Sequence, residues 1–278
     1  MNFSRAFLLG LSAFVLSACV ADQAVDLESR PIALDQNAEP AGAAGPQGAA
    51  SVATLLPATG PTYVTLTVAE TTAGASGNAS QNTAMPITSG SGFVVSPDGY
   101  VVTAAHVAVA KGNEISARAA NGRIYSGTVL ALYPENDMAL IKLRAFNGHS
   151  VMPAAPGCLA PGDLLYTLGK PHGGGDTARI GTLQTKHFGR PVAYGKFGYP
   201  DALVLHMGTQ RGESGGPVFN NRGQLVGMVV STLSDANGQS INMAHAIPAN
   251  TIGKFFCSQG SCSPQWSALA ALPVDNCG

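Results

Sequence analysis

Three polar side chains in this sequence stand where they could form the machinery of nucleophilic catalysis. His106 lies near the end of the apolar segment YVVTAAHV, Asp137 directly precedes the apolar segment MALIKL, and Ser214 lies in the glycine-rich segment RGESGGPVF. A serine hydroxyl attacks an acyl group when a histidine accepts its proton and a carboxylate orients that histidine. The sequence therefore predicts acyl transfer with Ser214 as nucleophile, His106 as general base and Asp137 as the orienting group.

The glycines around Ser214 have a steric reason. A backbone that turns tightly enough to aim the amides of Gly212 and Ser214 at one point cannot carry side chains on both neighbours. Two amides aimed in this way stabilise the oxyanion that forms during acyl transfer. Gly212 and Ser214 are therefore the predicted oxyanion hole, and Gly215 and Gly216 leave room for a substrate.

Short β-strands separated by turns are expected to position these side chains. Glycine (34 residues) and proline (18) are abundant, and apolar alternation recurs in short segments. Two sets of about six strands, joined near residues 145–161, predict an all-β fold of two six-stranded antiparallel β-barrels. The predicted strands are Tyr63–Val68, Gly92–Val95, Tyr100–Thr103, Ile115–Ala119, Ile124–Leu132, Ala139–Leu143, Leu164–Leu168, Arg179–Gln184, Ala202–His206, Gly216–Phe219, Gln224–Thr232 and Met243–Ile247. A short C-terminal helix is predicted at Asn250–Phe256.

The segments TAAH, DMALIKL and GESGGP, in this order, resemble the trypsin-like protease superfamily and its bacterial HtrA/Deg branch. SGSGFVVSPDGYVVTAAHV, LGKPHG at Leu168–Gly173 and AHAIPAN at Ala244–Asn250 match the same branch. The resemblance covers about Tyr63–Phe256. It implies a chymotrypsin-like double barrel with a serine endopeptidase site in the cleft between the barrels, and a chemistry that needs no cofactor.

The chain departs from that branch at two places. HtrA proteases usually carry PDZ domains after the protease domain, and the residues beyond Phe256 are too few for one, so activation through a PDZ domain is not expected. HtrA proteases usually have Asn, and trypsin has Asp, where this chain has Glu213. In trypsin that carboxylate pairs with a newly cut amino terminus. Here Glu213 is expected to be solvated or locally hydrogen-bonded.

The resemblance also implies which residues line the pocket for the substrate side chain before the cut. Gly208 takes the position of the pocket floor and brings no carboxylate, so selection for Lys or Arg is not expected. Glutamate-specific relatives have a histidine where this chain has Val229. The other expected lining residues are Thr209, Val230, Ser231, Thr232 and Ala244. An uncharged cavity predicts cleavage after medium aliphatic residues, and His245 should turn away if Ala244 points into the pocket.

The first residues predict export and lipidation. Arg5 is followed by an apolar stretch that ends in Leu-Ser-Ala-Cys at Cys19, so residues 1–18 have the features of a signal peptide. The four residues ending at Cys19 resemble the bacterial lipobox, which implies acylation of Cys19 and attachment to a membrane. Val20 after it implies the outer membrane, facing the periplasm. An ordinary secretory signal with an incidental cysteine is the alternative.

Three regions follow the signal peptide. Residues 19–61, rich in Ala, Gly, Pro and Gln, predict a flexible tether. The protease domain is expected over 62–256, and a cysteine-containing tail over 257–278.

Four cysteines remain after Cys19, an even number that favours two disulfides in an exported chain. Cys257 and Cys262 flank a short polar loop, and their pairing would leave Cys158 to Cys277, a large loop whose closure contributes about 4 kcal/mol. Metal binding is the competing use of four cysteines. Because neither a C-x-x-C pair nor a nearby histidine pattern accompanies them, no metal site is predicted.

Charge and chain order restrict the possible functions. The formal net charge is −1 and no charged run occurs, so nucleic-acid binding is not predicted. The order His, Asp, Ser and the β-rich pattern disfavour an α/β-hydrolase esterase. We expect a serine endopeptidase acting on exported or misfolded polypeptides in the cell envelope. The alternative is a catalytically silent lipoprotein that uses the protease fold to bind or scaffold, and the oligomeric state stays open.

Overall fold

A computed structural model of the protein describes residues 32–35, 46–69, 86–172, 174–235, 237, 239–260 and 262–277. The strands within them are β1 Ala33–Leu34, β2 Tyr63–Ala69, β3 Pro86–Ser96, β4 Tyr100–Ala104, β5 Glu114–Ala119, β6 Ile124–Tyr133, β7 Met138–Leu143, β8 Leu164–Gly169, β9 Thr177–Thr185, β10 Val192–Tyr194, β11 Phe197–Tyr199, β12 Leu203–His206, β13 Pro217–Asn220, β14 Leu225–Ser234 and β15 Ser240–Pro248. The α-helices are α1 Pro46–Thr59, α2 Ala105–Ala108, α3 Ala249–Ser258 and α4 Pro264–Ala270.

The first barrel is closed by six strands that are hydrogen-bonded in the order β2, β3, β4, β7, β6 and β5. Successive side chains of a strand face opposite sides, and β2 follows this rule. Leu66 and Val68 are fully buried, whereas Thr67 between them is exposed. Phe93 from β3 and Leu140 from β7 lie in the same core. The alternation seen in the sequence therefore places the apolar face of each strand inside the barrel.

The second barrel contains β8, β9, β12, β15, β14 and β13, and pairing between β8 and β9 closes it. The predicted fold class is confirmed: the chain forms two six-stranded antiparallel barrels, and short helices follow β15. The small hairpin β10–β11, which the sequence analysis did not predict, precedes β12.

The expected tether, residues 19–61, contains regular structure where it is described. β1 pairs with β9 in parallel, and α1 leads through a 3₁₀ turn at Gly60–Thr62 into β2. Ile32 and Leu34 pack against the core, and Val52 is fully buried. Flexibility is therefore the wrong interpretation for residues 32–35 and 46–61, because their few apolar side chains dock on the barrels. Residues 1–18, Cys19 and the rest of the tether lie outside the described residues.

The tail beyond Phe256 packs onto the domain. α3 contains the predicted helix Asn250–Phe256, and α4 follows it. The Trp266 side chain is 1% exposed, its ring lies edge-on to Phe256, and its Nε1 donates a hydrogen bond to the Val95 carbonyl at 3.1 Å. Trp266 thereby joins the tail to β3. Within the described part of the chain, every helix is too short or too polar to cross a membrane.

The cysteine sulfurs of the tail lie at disulfide distance in the pairing that the sequence favours. The partners are Cys257 with Cys262 and Cys158 with Cys277. The second pair ties the end of the tail to the turn at Pro156–Cys158, which joins the two barrels. Packing there is close, since a Cβ atom added to Gly157 would lie 2.3 Å from the Asn276 carbonyl oxygen.

Candidate active site

His106 and Asp137 lie side by side at the mouth of the first barrel. His106 belongs to the one-turn helix α2, which directly continues β4. Asp137 stands between the 3₁₀ turn at Pro134–Asn136 and β7, with a left-handed backbone (φ +46°). Its carboxylate accepts hydrogen bonds from His106 Nδ1 at 2.8 Å and from the His106 amide at 3.0 Å. The carboxylate is fully buried, whereas 27% of the imidazole remains exposed.

A third donor to Asp137 is the phenol of Tyr194, in the hairpin β10–β11. Burial, together with the neighbouring Asp137 charge, holds the pKa of Tyr194 far above its usual value, so the phenol keeps its proton and donates. The Tyr194 and Phe197 rings also lie edge-on to the His106 imidazole, with ring centroids 5.8 Å and 6.3 Å from its centroid. Tyr194 escaped prediction from the sequence because its hairpin consists of two three-residue strands, which are too short to show an alternating pattern.

Ser214 lies in a tight turn, here called the Ser214 turn (residues 210–216). The Glu213 amide donates to the Gln210 carbonyl at 3.1 Å, and Gly212 has φ +95°. A four-residue turn with this hydrogen bond and a positive φ at its third residue is of type II, which favours glycine at that residue. The backbone of the turn therefore favours glycine at position 212.

The carbonyl groups of the Ser214 turn are held by donors from outside it. Ser91 on β3 donates its amide to the Ser214 carbonyl at 2.9 Å and its hydroxyl to the Gly212 carbonyl at 3.0 Å. The His172 amide donates to the Arg211 carbonyl at 2.9 Å. The amides of Gly212 and Ser214 donate none of the backbone hydrogen bonds of the described residues. They therefore stay available to an external acceptor.

A glycine lets the Ser214 turn approach the end of β4, next to His106. A Cβ atom added to Gly215, which has φ +84°, would lie 2.1 Å from the Ser91 carbonyl oxygen and 3.1 Å from the Ala104 amide. Ser214 is thus brought to the same end of the first barrel as His106 and Asp137. Among the hydrogen bonds of the described residues, none joins the Ser214 hydroxyl to His106.

Glu213 has surroundings that the sequence analysis did not expect. Its side chain is fully buried, and both carboxylate oxygens accept from Arg179 Nε, at 2.6 and 2.8 Å. Burial raises the pKa of the Glu213 carboxyl, while the charge of Arg179 opposes that rise. The expectation of a solvated or only locally hydrogen-bonded Glu213 is wrong, because Arg179 reaches it from β9, 34 residues away in sequence.

Some of the residues expected to line the specificity pocket lie close together. Thr209 and Thr232 share a hydrogen bond of 2.7 Å between their hydroxyls, and Thr232 pairs with Ala244 across β14 and β15. A Cβ atom added to Gly208 would lie 2.9 Å from Asn242 Oδ1, so Asn242 is a further neighbour of the expected floor. Val229 and Val230 are buried apolar residues of β14.

Ser231 and His245 lie against the hairpin β10–β11 rather than beside Thr209 and Thr232. The Tyr199 hydroxyl is 2.8 Å from both Ser231 Oγ and His245 Nδ1. Burial lowers the pKa of His245, which favours its neutral form. Among the described residues, no cluster of His, Cys, Asp or Glu has the arrangement of a metal site.

The two closed six-stranded antiparallel barrels define the class of chymotrypsin-like double-barrel proteins. Residues 90–228 match the family described as "Trypsin-like peptidase domain", and the chain belongs to that family.

Curated relatives and solved structures agree with this family. The chain is 30% identical over 194 residues to a protein of Brucella suis named "Probable periplasmic serine endoprotease DegP-like", and 32% identical over 193 residues to a protein of the same name from Bartonella henselae. Each alignment covers 68% of this chain and 37% of the relative, so the chain spans less than half of their length.

Among solved structures, the HtrA-type protease AlgW with a tripeptide has a TM-score of 0.62 at 24% identity, covering 74% of this chain and 62% of that one. The structure titled "Crystal structure of Rv3671c protease, inactive form" has a TM-score of 0.59 at 24% identity, covering 77% of this chain and 96% of that one. These two likenesses concern the fold alone.

Proposed function

We propose that the protein is a serine endopeptidase that cleaves polypeptides through an acyl-enzyme intermediate. The observation that carries the proposal is the paired His106 and Asp137 beside a glycine turn that contains Ser214 and leaves two amides unused. Membership of the trypsin-like peptidase family and the DegP-like relatives support the same reaction class.

In the proposed mechanism His106 Nε2 accepts the proton of the Ser214 hydroxyl as Ser214 attacks the substrate carbonyl. Asp137 keeps the proton on His106 Nδ1 and stabilises the imidazolium that forms, without accepting the proton itself. The amides of Gly212 and Ser214 donate to the oxyanion of the tetrahedral intermediate. His106 then gives the proton to the leaving amine. Water next attacks the acyl-enzyme with His106 again as general base, which releases the acyl group and restores the Ser214 hydroxyl. The chemistry uses side chains and backbone amides alone.

Tyr194 has a supporting role in this proposal. Asp137 must present one carboxylate oxygen to His106 Nδ1, and a carboxylate with several donors has fewer orientations open to it. The phenol of Tyr194 donates to Oδ2, the same oxygen that faces Nδ1. We therefore place Tyr194 among the positioning residues of the site.

A fluorophosphonate probe tests the proposal, because an activated serine reacts with it rapidly. We expect labelling of the wild-type protein at Ser214, located by peptide mapping, and none in His106→Ala. A folded wild-type protein that resists the probe would favour the second possibility, a catalytically silent binding protein on the protease fold.

The place of action is also proposed. The relatives are named as periplasmic, and the lipobox-like sequence supports attachment of Cys19 to the outer membrane. Cys19→Ser should then abolish fatty-acid labelling and release the protein from the membrane fraction. A Cys19→Ser protein that stays in the membrane fraction would contradict attachment through that residue.

A further inference from the structure

Arg179 and Glu213 form an ion pair inside the second barrel. Glu213 is fully buried, and the Arg179 side chain is 7% exposed. Removing either ion from water is strongly unfavourable unless it finds an opposite charge and full hydrogen bonding. The Arg179 Nε group contacts both carboxylate oxygens. The two side chains therefore fix one another in position.

The Glu213 carboxylate also fixes the two ends of the turn that precedes Ser214. Its Oε2 accepts from the Gln210 amide at 2.7 Å, while the Glu213 amide donates to the Gln210 carbonyl at 3.1 Å. Types I and II of such a turn differ by a flip of the central peptide, here between Arg211 and Gly212. A flip would reverse the Gly212 N–H, and the His172 amide opposes it by holding the Arg211 carbonyl at 2.9 Å. Glu213 holds the two ends of the turn, so its position decides whether the turn stays closed around that peptide.

Arg179 is itself held from two sides. Its backbone lies opposite Thr167 in the pairing of β9 with β8, and its Nη1 donates a hydrogen bond to Asp35 Oδ2. Asp35 follows β1, and its amide donates to the Ala178 carbonyl at 2.9 Å. The guanidinium therefore lies between a carboxylate of the Ser214 turn and a carboxylate from the segment before the first barrel.

We infer that Arg179 is a positioning residue for the oxyanion hole. It is a cation within β9 that takes the place of the amino terminus used by trypsin, and Asp35 supplies the second carboxylate beside it. The inference rests on the proposed function, since it concerns the same hole. It makes the competent shape of the Ser214 turn a property of the folded barrel, independent of any newly formed amino terminus. It also assigns a role to the upstream segment around Asp35, which steadies the cation.

Steady-state hydrolysis of a peptide substrate by the purified full chain tests this inference. In Arg179→Met we expect kcat to fall about 100-fold, the scale of losing one oxyanion donor, with KM within threefold. Arg179→Lys keeps a cation in reach and should recover at least tenfold of that loss. Tyr166→Phe is the control for stability, because it removes a buried hydrogen bond to Thr59 from neighbouring β8 without touching the turn. It should keep kcat within twofold.

Two further measurements address the case in which Arg179→Met does not fold and the case in which the amino terminus itself acts on the Ser214 turn. If Arg179→Met does not fold, the double change Arg179→Met with Glu213→Gln removes both charges, and its kcat should stay at least tenfold below wild type. Extending the amino terminus by a short Gly-Ser segment should leave kcat within twofold.

The outcomes separate the inference from the proposed function. A folded Arg179 variant, or the folded double variant, with wild-type kcat would overturn the inference alone, as would a large loss on extension. A wild-type protein that hydrolyses no peptide would overturn the proposed function instead.

Discussion

At the scale of single residues, the buried carboxylate of Asp137 is held by three donors, and two of them come from His106. Tyr194→Phe removes the third and keeps the ring that lies against the imidazole. A hydrogen bond to a charged group contributes about 1.5 to 3 kcal/mol, and part of that should appear in the transition state. We expect kcat to fall about tenfold, which corresponds to about 1.4 kcal/mol, with KM little changed. Steady-state kinetics measure both constants.

The matched control for that substitution is Tyr199→Phe, in the same hairpin. Tyr199 contacts Ser231 and His245 rather than Asp137. It should therefore leave the orientation of His106 unchanged and keep kcat within threefold. Equal effects of the two substitutions on kcat would show that Tyr194 acts only through the stability of the hairpin.

Substrate preference is also decided by single residues. The expected pocket joins the glycine floor at Gly208 with the Thr209–Thr232 hydroxyl pair and buried aliphatic residues of β14, and these groups are uncharged. Each additional methylene buried there contributes about 1 to 3 kcal/mol. A peptide-library profile should show cleavage chiefly after Val, Leu or Ala. A profile dominated by Arg, Lys, Asp or Glu before the cut would refute this interpretation of the pocket.

At the scale of elements, the barrel strands could be predicted because alternation of apolar and polar residues directly reflects a half-buried strand. The hairpin β10–β11 escaped, since three-residue strands such as Phe197–Tyr199 are too short to show a period. Helix α1 escaped because its Ala-rich sequence lacks an apolar stripe. Long-range polar partners, such as Arg179 for Glu213, follow from the register of the barrel and leave no local signal in the sequence.

The two cysteine pairs should contribute unequally to stability. Cys158 and Cys277 are separated by 119 residues, whereas Cys257 and Cys262 are separated by 5. Because a longer closed loop restricts the unfolded chain more, replacing both members of the first pair with Ser should lower the free energy of unfolding by about 4 kcal/mol, and replacing the second pair by about 2 kcal/mol. Urea unfolding measures both. Free thiols in the folded protein, or a bond from Cys158 to Cys257, would contradict the pairing.

His187 connects the tail to the second barrel, and we expect this connection to depend on pH. The His187 imidazole donates hydrogen bonds to the carboxylate of Asp201 and to that of Asp275, and these bonds, the one to Asp201 first, raise the pKa of His187. A group whose folded pKa is raised contributes stability that is fully present below its unfolded pKa of about 6.5 and is lost as the pH rises through the folded pKa. The free energy of unfolding of wild type should therefore decline relative to His187→Gln as the pH rises above about 6.5. Parallel curves for the two proteins would contradict this role.

At the scale of the whole molecule, the site depends on contacts that cross between the barrels. Ser91 of the first barrel holds the carbonyls of the Ser214 turn in the second. Arg118 on β5 forms an ion pair of 2.7 Å with Asp176, immediately before β9. The tail adds a further connection through Trp266. Because Ser214 and His106 belong to different barrels, the position of Ser214 relative to His106 depends on how the barrels pack together.

Peptide hydrolysis by purified wild-type protein, compared with Ser214→Ala, tests the central claim most directly. The residues of a catalytic triad act as a unit, so loss of the Ser214 hydroxyl should remove nearly all activity and leave the thermal unfolding midpoint close to that of wild type. We predict peptide cleavage by wild type and a rate at least about 10⁴-fold lower for Ser214→Ala. Equal hydrolysis by the two proteins, with contaminating protease excluded, would contradict the account.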